Sequence, residues 1–378
     1  MQYRKMGKLG IEISAFGIGC MRFPMYTNEE GKRVVDQELA NKIIHTAIEN
    51  GVNYLDTAYV YSDRQAEKVL GIALQGGWRE KVYVATKLPI WDCHKPEDLN
   101  RLYEEQRANL QVDCIDFYLV HALNRDQWHR MRDLGVREFL TDLKAQGKIK
   151  YACFSFHDNY EAFEEIINDY DWDMCQIQFN YMDINNQATI KGVELAGKKN
   201  IPIVIMEGLL GGRLANVPDT VQAVFDSYPE KRSAVEWAFR WLCNFPQVGT
   251  VLSGVTNMEQ TMDNLAIFDR TGVGIMSQEE LAIVDKAREE YLRRTKVGCT
   301  GCRYCMPCPC GVDIPAVFGT WNEAFKYNTN IAGNGHYRRM VNDGKGADQC
   351  VECGACMEMC PQQLNIPELL KTASAELS

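Results

Sequence analysis

Several features are scarce in this 378-residue sequence, and each absence narrows the class of protein. Positive charge is in deficit, since 41 lysines and arginines face 51 acidic residues, and a net charge of −10 disfavours nucleic acid or an anionic membrane as a partner. Apolar runs such as IPIVIMEGLL are too short to span a bilayer. The opening MQYRKMGKLG lacks the apolar core of a secretion signal, so we expect a cytoplasmic protein.

Cysteine, by contrast, is abundant. The chain has 15 cysteines, and nine of them fall between positions 299 and 360. Because disulfides are rare in a reducing compartment, this cluster indicates metal binding rather than cross-linking. The other six are scattered singly, and we interpret them as small buried hydrophobic side chains: Cys20, Cys93, Cys114, Cys153, Cys175 and Cys243.

The segment from about residue 10 to residue 270 alternates between short β-rich runs and helical patterns. The strand candidates are ISAFGIGCMR, NYLDTA, VYVATKLP, CIDFYLVHA, KYACFSFHD, MCQIQFNYMD, IPIVIMEG and VGTVLSGV. Their nearly continuous apolar character is typical of parallel strands that are buried on both faces. This alternation predicts an α/β fold, a (β/α)8 TIM barrel, and the opening MQYRKMGKLGIEIS predicts a short hairpin across its floor.

A change of composition marks a domain boundary. After the helical pattern SQEELAIVDKAREEYLRR, the sequence becomes rich in cysteine, glycine and proline. We therefore predict a barrel domain over residues 1–295 and a small, mostly helical domain over residues 296–378.

Chemically reactive side chains follow three neighbouring strands at their carboxyl ends, where TIM-barrel enzymes place their chemistry. In chain order these are Asp56 with nearby Tyr61, then Lys87, then His121. An ammonium beside a phenol favours the phenolate and lowers its pKa, and a carboxylate keeps that ammonium charged. Together with an imidazole that orients a carbonyl, such a set suits protonation of an alkoxide while a hydride reaches the carbon. Taken singly, each residue could instead be a helix cap, an ion-pair partner or a core histidine.

In the order YLDTAYVYS, ATKLP and YLVHA, these motifs resemble the aldo-keto reductase family over nearly all of the first 295 residues. The resemblance implies a TIM barrel that reduces aldehydes and ketones with a nicotinamide cofactor and without a metal. It maps the family's catalytic tetrad onto Asp56, Tyr61, Lys87 and His121. By this mapping Tyr61 is the general acid, Lys87 and Asp56 tune it, and His121 orients the carbonyl.

The resemblance also implies a set of cofactor contacts. Ser155 and Gln176, near the ends of strands five and six, correspond to the residues that hold the nicotinamide carboxamide. The pyrophosphate loop after strand seven corresponds to residues 208–213, with contacts from Gly208, Leu209, Gly211, Gly212 and Arg213. The adenosine-binding loop and helix after strand eight contribute Gly254, Thr256, Gln260 and Asn264.

Two positions depart from the family pattern. Met206 stands where the family often stacks an aromatic side chain against the nicotinamide ring. Members that prefer NADP usually offer lysine or arginine near the last loop, whereas the aligned positions here hold Gly254, Asn257 and Gln260. Without a cation for the 2′-phosphate, we predict weak discrimination between NADH and NADPH, or a preference for NADH.

The second cysteine group, CVECGACMEMCP, has the spacing of a cluster-binding run. It places Cys350, Cys353, Cys356 and Cys360 before a proline, which is the C-x2-C-x2-C-x3-C-P run of bacterial-type iron–sulfur proteins. Zinc sites usually draw their ligands from two separated C-x-x-C pairs, so a zinc module is the weaker alternative.

The first cysteine group, CTGCRYCMPCPCGVDIP, breaks this spacing after its third cysteine. An internal repeat resolves the break, because the first three cysteines of the second run lie 51 residues after Cys299, Cys302 and Cys305. The next segment, CPCGVDIP, aligns with CPQQLNIP at an offset of 52 residues. This alignment places Cys308 opposite Cys360, and Cys310 opposite Gln362. We therefore predict that Cys308 is a ligand and that Cys310 is not.

In two-cluster ferredoxins the fourth cysteine of each run binds the other cluster. By this rule one [4Fe–4S] cluster is held by Cys299, Cys302, Cys305 and Cys360, and the other by Cys350, Cys353, Cys356 and Cys308. The stretch between the two runs is helical in pattern, and each Ile-Pro is typical of a helix start. The domain is therefore similar to helical ferredoxin domains.

The two halves of the chain handle electrons differently. Nicotinamide exchanges a hydride, whereas iron–sulfur clusters pass single electrons, so direct transfer requires a mediator such as a flavin. The intact tetrad favours an NAD(P)-dependent carbonyl reductase or alcohol dehydrogenase whose two clusters are structural or sensory. One alternative is a flavin- or ferredoxin-coupled electron-transfer enzyme, and another is a non-catalytic redox-sensing module.

The expected partners are a small carbonyl or alcohol substrate and, in the electron-transfer alternative, a redox protein such as ferredoxin. The loop after His121, ALNRDQWHRMRDLG, is expected to line the substrate pocket. Within it, Trp128 and Arg125 are either substrate contacts or ordinary surface residues.

Overall fold

Eight parallel strands close into a barrel in the computed structural model, which describes residues 1–378. The strands of the chain are β1 Tyr3–Lys5, β2 Glu12–Ser14, β3 Phe16–Gly19, β4 Met25–Thr27, β5 Arg33–Val35, β6 Tyr54–Asp56, β7 Tyr83–Leu88, β8 Ile115–Leu123, β9 Ile149–Phe156, β10 Met174–Gln178, β11 Ile203–Met206 and β12 Val248–Ser253. The barrel runs in the order β3, β6, β7, β8, β9, β10, β11, β12 and closes where β12 pairs with β3. Each of the eight predicted strands is present, so the predicted TIM barrel is confirmed.

Helices alternate with the barrel strands and then continue alone to the end of the chain. They are α1 Gln37–Glu49, α2 Ala66–Ala73, α3 Pro96–Leu110, α4 Arg125–Asp133, α5 Val136–Ala145, α6 Tyr160–Asn168, α7 Thr189–Lys198, α8 Asp219–Asp226, α9 Ala234–Cys243, α10 Met258–Asp269, α11 Gln278–Arg293, α12 Ile314–Tyr327, α13 Gly335–Asn342, α14 Ala355–Glu358 and α15 Ile366–Leu377. None of them combines the length and the hydrophobicity that a membrane crossing would require.

Two compact units make up the chain. The first comprises Met1–Gly211 and Val235–Ser277, and the second comprises Gly212–Ala234 and Gln278–Ser378. The second unit thus includes α8 and α11, which precede the cysteine-rich segment in the sequence. Because the units are discontinuous in sequence, they differ from the predicted sequence domains, and the boundary near residue 296 stays a prediction.

The opening segment forms the predicted hairpin at the end of the barrel where the strands begin. β1 pairs with β2 in antiparallel fashion, with Tyr3 opposite Ser14. Between the two strands Met6 is fully buried and packs in one apolar cluster with Tyr54 and Phe117 of the barrel. Gly249 leaves the room for this packing, since a Cβ there would collide with Met6 Sδ.

A second hairpin, β4 paired with β5, was not predicted from the sequence. It follows β3 directly and precedes α1, so it lies in the first connection of the barrel. Asp36 caps the start of α1, and its carboxylate accepts a hydrogen bond of 3.0 Å from the Leu39 backbone N–H.

The second unit is helical, as predicted for the cysteine-rich segment. Each of the two Ile-Pro pairs begins a helix: α12 follows Asp313, which caps it, and α15 follows Asn365. A separate apolar core joins these helices, with Phe318 and Trp321 of α12 and Leu370 of α15 buried together. The cysteines pack at the edge of this core and are partly exposed.

Candidate active site and cysteine cavities

The four tetrad residues lie at the carboxyl ends of three adjacent barrel strands. Asp56 is the last residue of β6, Lys87 lies near the end of β7, and His121 lies near the end of β8. Tyr61 follows in the turn after β6. Since parallel strands direct these ends to one rim of the barrel, the fold brings together the side chains that the sequence grouped.

Lys87 is the centre of this group. Its ammonium is 1% exposed and donates hydrogen bonds to Asp56 Oδ1 at 2.6 Å, to the Thr57 carbonyl at 2.8 Å and to the Tyr61 hydroxyl at 3.1 Å. The three donor protons of the ammonium are therefore matched by three acceptors. The phenol, ammonium and carboxylate form one continuous hydrogen-bonded chain.

Polar side chains behind β7 hold this part of the strand in place. Gln106 of α3 is buried and donates to the Lys87 carbonyl at 2.9 Å and to Glu67 Oε1 at 2.7 Å. Thr86 donates to the same carboxylate oxygen at 2.6 Å. Because a buried network of this kind is rigid when its members are satisfied, it fixes the backbone from which Lys87 extends.

Burial and charge act in opposite directions on the titrating groups of the chain. Burial raises the pKa of Asp56, although the Lys87 ammonium and the Gln176 amide oppose that effect. Burial acts to lower the pKa of Lys87, but Asp56 and Tyr61 reverse this, and the pKa of Lys87 is raised. At Tyr61, burial outweighs the attraction of the Lys87 ammonium, so the pKa of the phenol is raised. This corrects the expectation from the sequence, which was that the ammonium lowers this pKa.

His121 is a neutral imidazole in an apolar and cationic setting. Burial and the nearby Lys87 ammonium hold its pKa well below the usual value. Its ring lies edge-on to that of Tyr61, with 6.0 Å between the centroids, and 5.0 Å from the ring of Trp91. Its Nδ1 atom is buried without a hydrogen-bond partner.

A bulge interrupts the pairing of β8 where His121 lies. The pairing of β8 with β9 shifts register between Val120 and Leu123, and Ala122 has a φ of 50°, which is rare for a residue with a side chain. The Ala122 backbone N–H donates to Ser155 Oγ at 2.7 Å. Strained backbone of this kind is concentrated at functional sites in proteins.

Ser155 and Gln176, the two predicted carboxamide contacts, are direct neighbours across β9 and β10. Both are about 1% exposed, and Gln176 Oε1 is buried without a partner. Because Ser155 Oγ already accepts a hydrogen bond, its own proton is left to donate. Together the two residues offer one donor and one acceptor, which is what a carboxamide requires.

The predicted pyrophosphate loop has an unusual backbone. After Met206 at the end of β11, left-handed φ values occur at Glu207, Leu210, Gly211 and Gly212. Gly208 is buried, and a Cβ there would lie 2.8 Å from Leu242 Cδ1, so a larger residue would force the Leu242 side chain to shift. Leu209 is half-buried beside it.

Arg213, predicted to contact the pyrophosphate, has its described contacts within the second compact unit. It belongs to the second compact unit, where its guanidinium pairs with Glu323 at 3.1 Å and lies over the Tyr327 ring. The sequence alone could not show this, because the partner glutamate lies 110 positions further along the chain.

The predicted adenosine-binding residues lie in the loop after β12 and in α10. Gly254, Thr256 and Gln260 are exposed, and Gln260 Oε1 accepts hydrogen bonds from the backbone N–H and the hydroxyl of Thr256. Asn264 is buried and donates to Ser253 Oγ at 3.0 Å. Asn264 therefore ties the helix to the end of β12.

Two residues at the mouth were missed by sequence reasoning. Trp91, in the turn after β7, is 43% exposed and faces the His121 ring. Arg22, shortly after β3, runs across Gly254, with its Cβ 3.3 Å from where a Gly254 Cβ would lie. The signal that was available for both is their position a few residues after a barrel strand.

The expected pocket residues of the loop after His121 have structural contacts instead. Trp128 is fully buried, and its indole N–H donates to Asp169 at 2.8 Å. Arg125 pairs with Glu165 at 2.9 Å. Trp128 is therefore a core residue and not the surface residue that was one expectation, whereas Arg125 is a partly exposed residue that pairs with Glu165.

The cysteines of the second unit surround two cavities. One cavity of about 20 Å³ is lined by Cys299, Cys302, Cys305 and Cys360. A larger one of about 240 Å³ is lined by Cys305, Cys308, Cys310, Cys350, Cys353 and Cys356. The fourth cysteine of each run thus lies beside the first three of the other run, which is the arrangement that the repeat predicts.

The thiols act on one another electrostatically within these groups. Burial raises the pKa of Cys305, and Cys299, Cys302 and Cys360 raise it further. Burial likewise raises the pKa of Cys356, with further contributions from Cys350, Cys305 and Cys308. Thiolates crowded in this way need positive charge to be stable, and a bound metal supplies it.

The six scattered cysteines are mostly packing residues, as interpreted. All but the half-buried Cys114 are buried. Burial is the main cause of the raised pKa of the Cys20 thiol. The Asp56 carboxylate raises this pKa further and the Lys87 ammonium lowers it, and the thiol stays protonated.

Comparisons with known proteins agree with the two parts of the chain. The profile of the Aldo/keto reductase family matches residues 16–289, and that of a 4Fe-4S dicluster domain matches residues 298–364. The uncharacterized oxidoreductase YqkF of Bacillus subtilis (strain 168) is 24% identical over 297 residues, which cover 70% of this chain and 90% of YqkF.

Solved structures of the same fold are similar to the barrel. The holo form of aldo-keto reductase AKR11C1 from Bacillus halodurans has a TM-score of 0.63 at 22% identity, covering 76% of this chain and 96% of its own. The thermostable aldo-keto reductase Tm1743, in complex with the inhibitor epalrestat, has a TM-score of 0.62 at 20% identity, covering 76% and 100%. Since the family profile extends over nearly the whole barrel, the chain belongs to the aldo/keto reductase family, and a 4Fe-4S dicluster domain follows its barrel.

Proposed function

We propose that this oxidoreductase is an NAD(P)H-dependent carbonyl reductase, or catalyses the reverse alcohol oxidation, with Tyr61 as its proton donor. The observation that carries the proposal is the buried Lys87 ammonium, which donates at once to Asp56 and to Tyr61. A phenol in this position can transfer a proton to an alkoxide, and the ammonium then stabilises the phenolate that remains.

The proposed proton transfer depends on the directions of the pKa shifts. Burial raises the pKa of Tyr61 above its usual value, which already lies well above neutral pH, so the phenol keeps its proton there. Lys87 keeps its charge because Asp56 raises its pKa. The hydrogen bond from Lys87 to Tyr61 therefore becomes charge-assisted on both sides only after the proton has left, which favours the transition state over the reactants.

His121 orients the substrate in this proposal. As a neutral imidazole it carries one N–H, which can donate to the carbonyl oxygen that becomes the alkoxide. Trp91, exposed beside it, offers an apolar wall for the rest of the substrate.

The residues present fit a nicotinamide dinucleotide. Ser155 and Gln176 offer the paired donor and acceptor that a carboxamide requires. The acceptor, Gln176 Oε1, is a buried polar atom that has no hydrogen-bond partner within the protein. A bound dinucleotide would supply the hydride. Met206, at the end of the neighbouring strand β11, would lie beside the ring in place of an aromatic side chain.

The cysteines of the second unit fit two [4Fe–4S] clusters. Cys299, Cys302, Cys305 and Cys360 would hold one, and Cys350, Cys353, Cys356 and Cys308 the other. The thiols surround two cavities, and the C-x-x-C-x-x-C spacing of each run favours clusters over a zinc site. In this proposal the clusters are structural or sensory and do not exchange electrons with the nicotinamide.

The test uses the full chain purified without oxygen. Oxidation of NADH and NADPH is measured with a panel of aldehydes and ketones, and flavin is sought by acid extraction. We expect one dinucleotide oxidised for each carbonyl reduced, with no flavin released. Dinucleotide oxidation that requires a one-electron acceptor such as ferredoxin, together with released flavin, would instead establish the electron-transfer alternative.

A further inference from the structure

We propose that Arg22 binds the diphosphate of the dinucleotide, so that the barrel takes its phosphate-binding cation from the segment after β3. This inference deepens the proposed function and rests on it. Arg22 is not among the residues that the family resemblance assigns to the tetrad or to the cofactor loops.

The first observation is the path of the Arg22 side chain. Its Cβ, Cγ and Cδ atoms pass within 3.3–3.5 Å of the position that a Gly254 Cβ would occupy, and its Nη2 atom reaches 3.6 Å from that of Gly211. The side chain therefore spans the loops that follow β12 and β11. A Cβ at Gly254 would crowd the arginine side chain, so glycine at that position leaves room for Arg22 to cross the loop.

The second observation is that this guanidinium is uncommitted. Arg22 is exposed and forms no ion pair or hydrogen bond with the protein. An arginine has five N–H donors in a planar fork that suits phosphate oxygens. Arg213, the arginine that the sequence predicted for this role, is paired with Glu323 in the second compact unit.

The third observation is the backbone of the loop that Arg22 reaches. Glu207 and Leu210 have φ values of 58° and 49°, and Gly211 has 65°. Left-handed conformations at residues with side chains cost free energy, and successive turns of this kind present backbone N–H groups as anion-binding concavities. The guanidinium and the loop thus point to the same class of ligand, a diphosphate.

One nearby group opposes this binding. Glu207 Oε2 lies 3.5 Å from the Gly211 Cβ position, on the same loop that Arg22 Nη2 approaches. A carboxylate there repels a diphosphate, so the two charges must have opposite effects on affinity. Neutralising Arg22 should therefore weaken dinucleotide binding, and neutralising Glu207 should strengthen it.

Position along the dinucleotide also separates Arg22 from a 2′-phosphate contact. The aliphatic part of its side chain covers Gly254, and the charged end lies at Gly211, in the loop predicted for the diphosphate. Since NADH and NADPH share the diphosphate, Arg22 should contribute equally to both. The cation therefore raises affinity without creating a preference for NADPH.

The experiment measures the dissociation constants of NADH and NADPH by equilibrium dialysis with the full cluster-containing chain. Arg22→Gln should weaken both by about 10- to 100-fold, because a charge-assisted hydrogen bond is lost. Arg22→Lys should restore part of the loss, and Glu207→Gln should tighten both. Raising the salt concentration should weaken wild-type binding more than that of Arg22→Gln. Lys42→Gln on α1, an exposed residue of the same charge, is the matched control and should have no effect.

The outcomes distinguish this inference from the function on which it rests. If wild type binds the dinucleotides and Arg22→Gln binds them equally well, the assignment of Arg22 is wrong and the proposed function stands. A loss confined to NADPH would overturn the diphosphate assignment in favour of the 2′-phosphate. If wild type binds neither dinucleotide, both the assignment and the proposed function fall.

Discussion

Replacing Lys87 with methionine tests how much the buried Lys87–Asp56 ion pair contributes to the stability of the barrel. Lys87→Met removes the only cation that pairs with Asp56, a carboxylate that is 2% exposed. Removing one member of a buried ion pair typically costs about 3–5 kcal/mol, because the remaining charge is left uncompensated. We expect the free energy of unfolding of the barrel to fall by about this amount at pH 8.

A double variant separates stability from catalysis. Lys87→Met with Asp56→Asn leaves no unpaired charge, so most of the lost stability should return. Both variants should nevertheless reduce carbonyl more slowly by about 100-fold or more, since neither can stabilise the Tyr61 phenolate. Lys42→Met, an exposed lysine of α1, is the control and should change the unfolding free energy by less than about 0.5 kcal/mol.

The sign of the pH dependence follows from Asp56. Its pKa is raised even in the wild type, and without Lys87 the folded chain must favour the protonated carboxyl still more. A folded-state pKa above the unfolded value weakens the fold as pH rises, so the deficit of Lys87→Met should shrink as pH falls from 8 towards 5. Urea unfolding followed by tryptophan fluorescence measures this, with cluster absorption recording the second unit separately. A double variant no more stable than the single one would refute the reasoning.

Further predictions concern the cysteines, the imidazole and two glycines. Cys308→Ser should lower the iron content from about eight per chain, whereas Cys310→Ser should retain it in a colorimetric iron assay. His121→Asn should lose less stability in acid than the wild type. The folded-state pKa of His121 is lowered, so the contribution of this residue to the free energy of unfolding is present above about pH 6.5 and is lost as pH falls. Unfolding titrations between pH 7 and 5 measure this difference. Gly71→Ala should destabilise the barrel by about 1–3 kcal/mol despite the better helix propensity, because its Cβ would lie 2.6 Å from the Asn109 carbonyl oxygen. Gly319→Ala in α12, where nothing lies within 4 Å, should be neutral or stabilising by up to about 1 kcal/mol in thermal unfolding of the second unit.

Much of the barrel could be predicted because its signal is local. Strands that are buried on both faces must be apolar along their whole length, and the fixed order of strand and helix then leaves few topologies. The hairpin β4–β5 was missed, since its strands have three residues each, are largely exposed and are not part of that apolar pattern. The helix starts at Ile314 and Ile366 were predicted because proline in a first turn is a local signal as well.

Parts of the site that depend on tertiary contacts could not be predicted. The tetrad follows from strand ends, but the raised pKa of Tyr61 depends on how completely the barrel buries it. Arg213 has the right residue type for a phosphate and lies in the predicted loop, yet Glu323 pairs with it in the second unit. Arg22 lies close to loops more than 180 positions further along the chain, a proximity that no local sequence pattern could predict.

The internal repeat shows how sequence can also specify a long-range arrangement. Comparing the two cysteine runs identified Cys308 as the counterpart of Cys360, and each of these thiols lines a cavity with the first three cysteines of the other run. Cys310 lines the larger cavity too, so its predicted role as a bystander depends on the repeat and on the iron assay.

The central claim is that Tyr61 donates the proton in a dinucleotide-dependent carbonyl reduction. The most direct test is the single-turnover rate of NADH or NADPH oxidation by a carbonyl substrate in wild type, in Tyr61→Phe and in Tyr59→Phe. Tyr59 is the control because its hydroxyl donates to Glu105 at 2.8 Å and not to the Lys87 group. We predict that Tyr61→Phe loses about 100-fold or more of this rate while its dinucleotide affinity and cluster absorption are unchanged, and that Tyr59→Phe keeps the wild-type rate. Equal rates in wild type and Tyr61→Phe would contradict the claim.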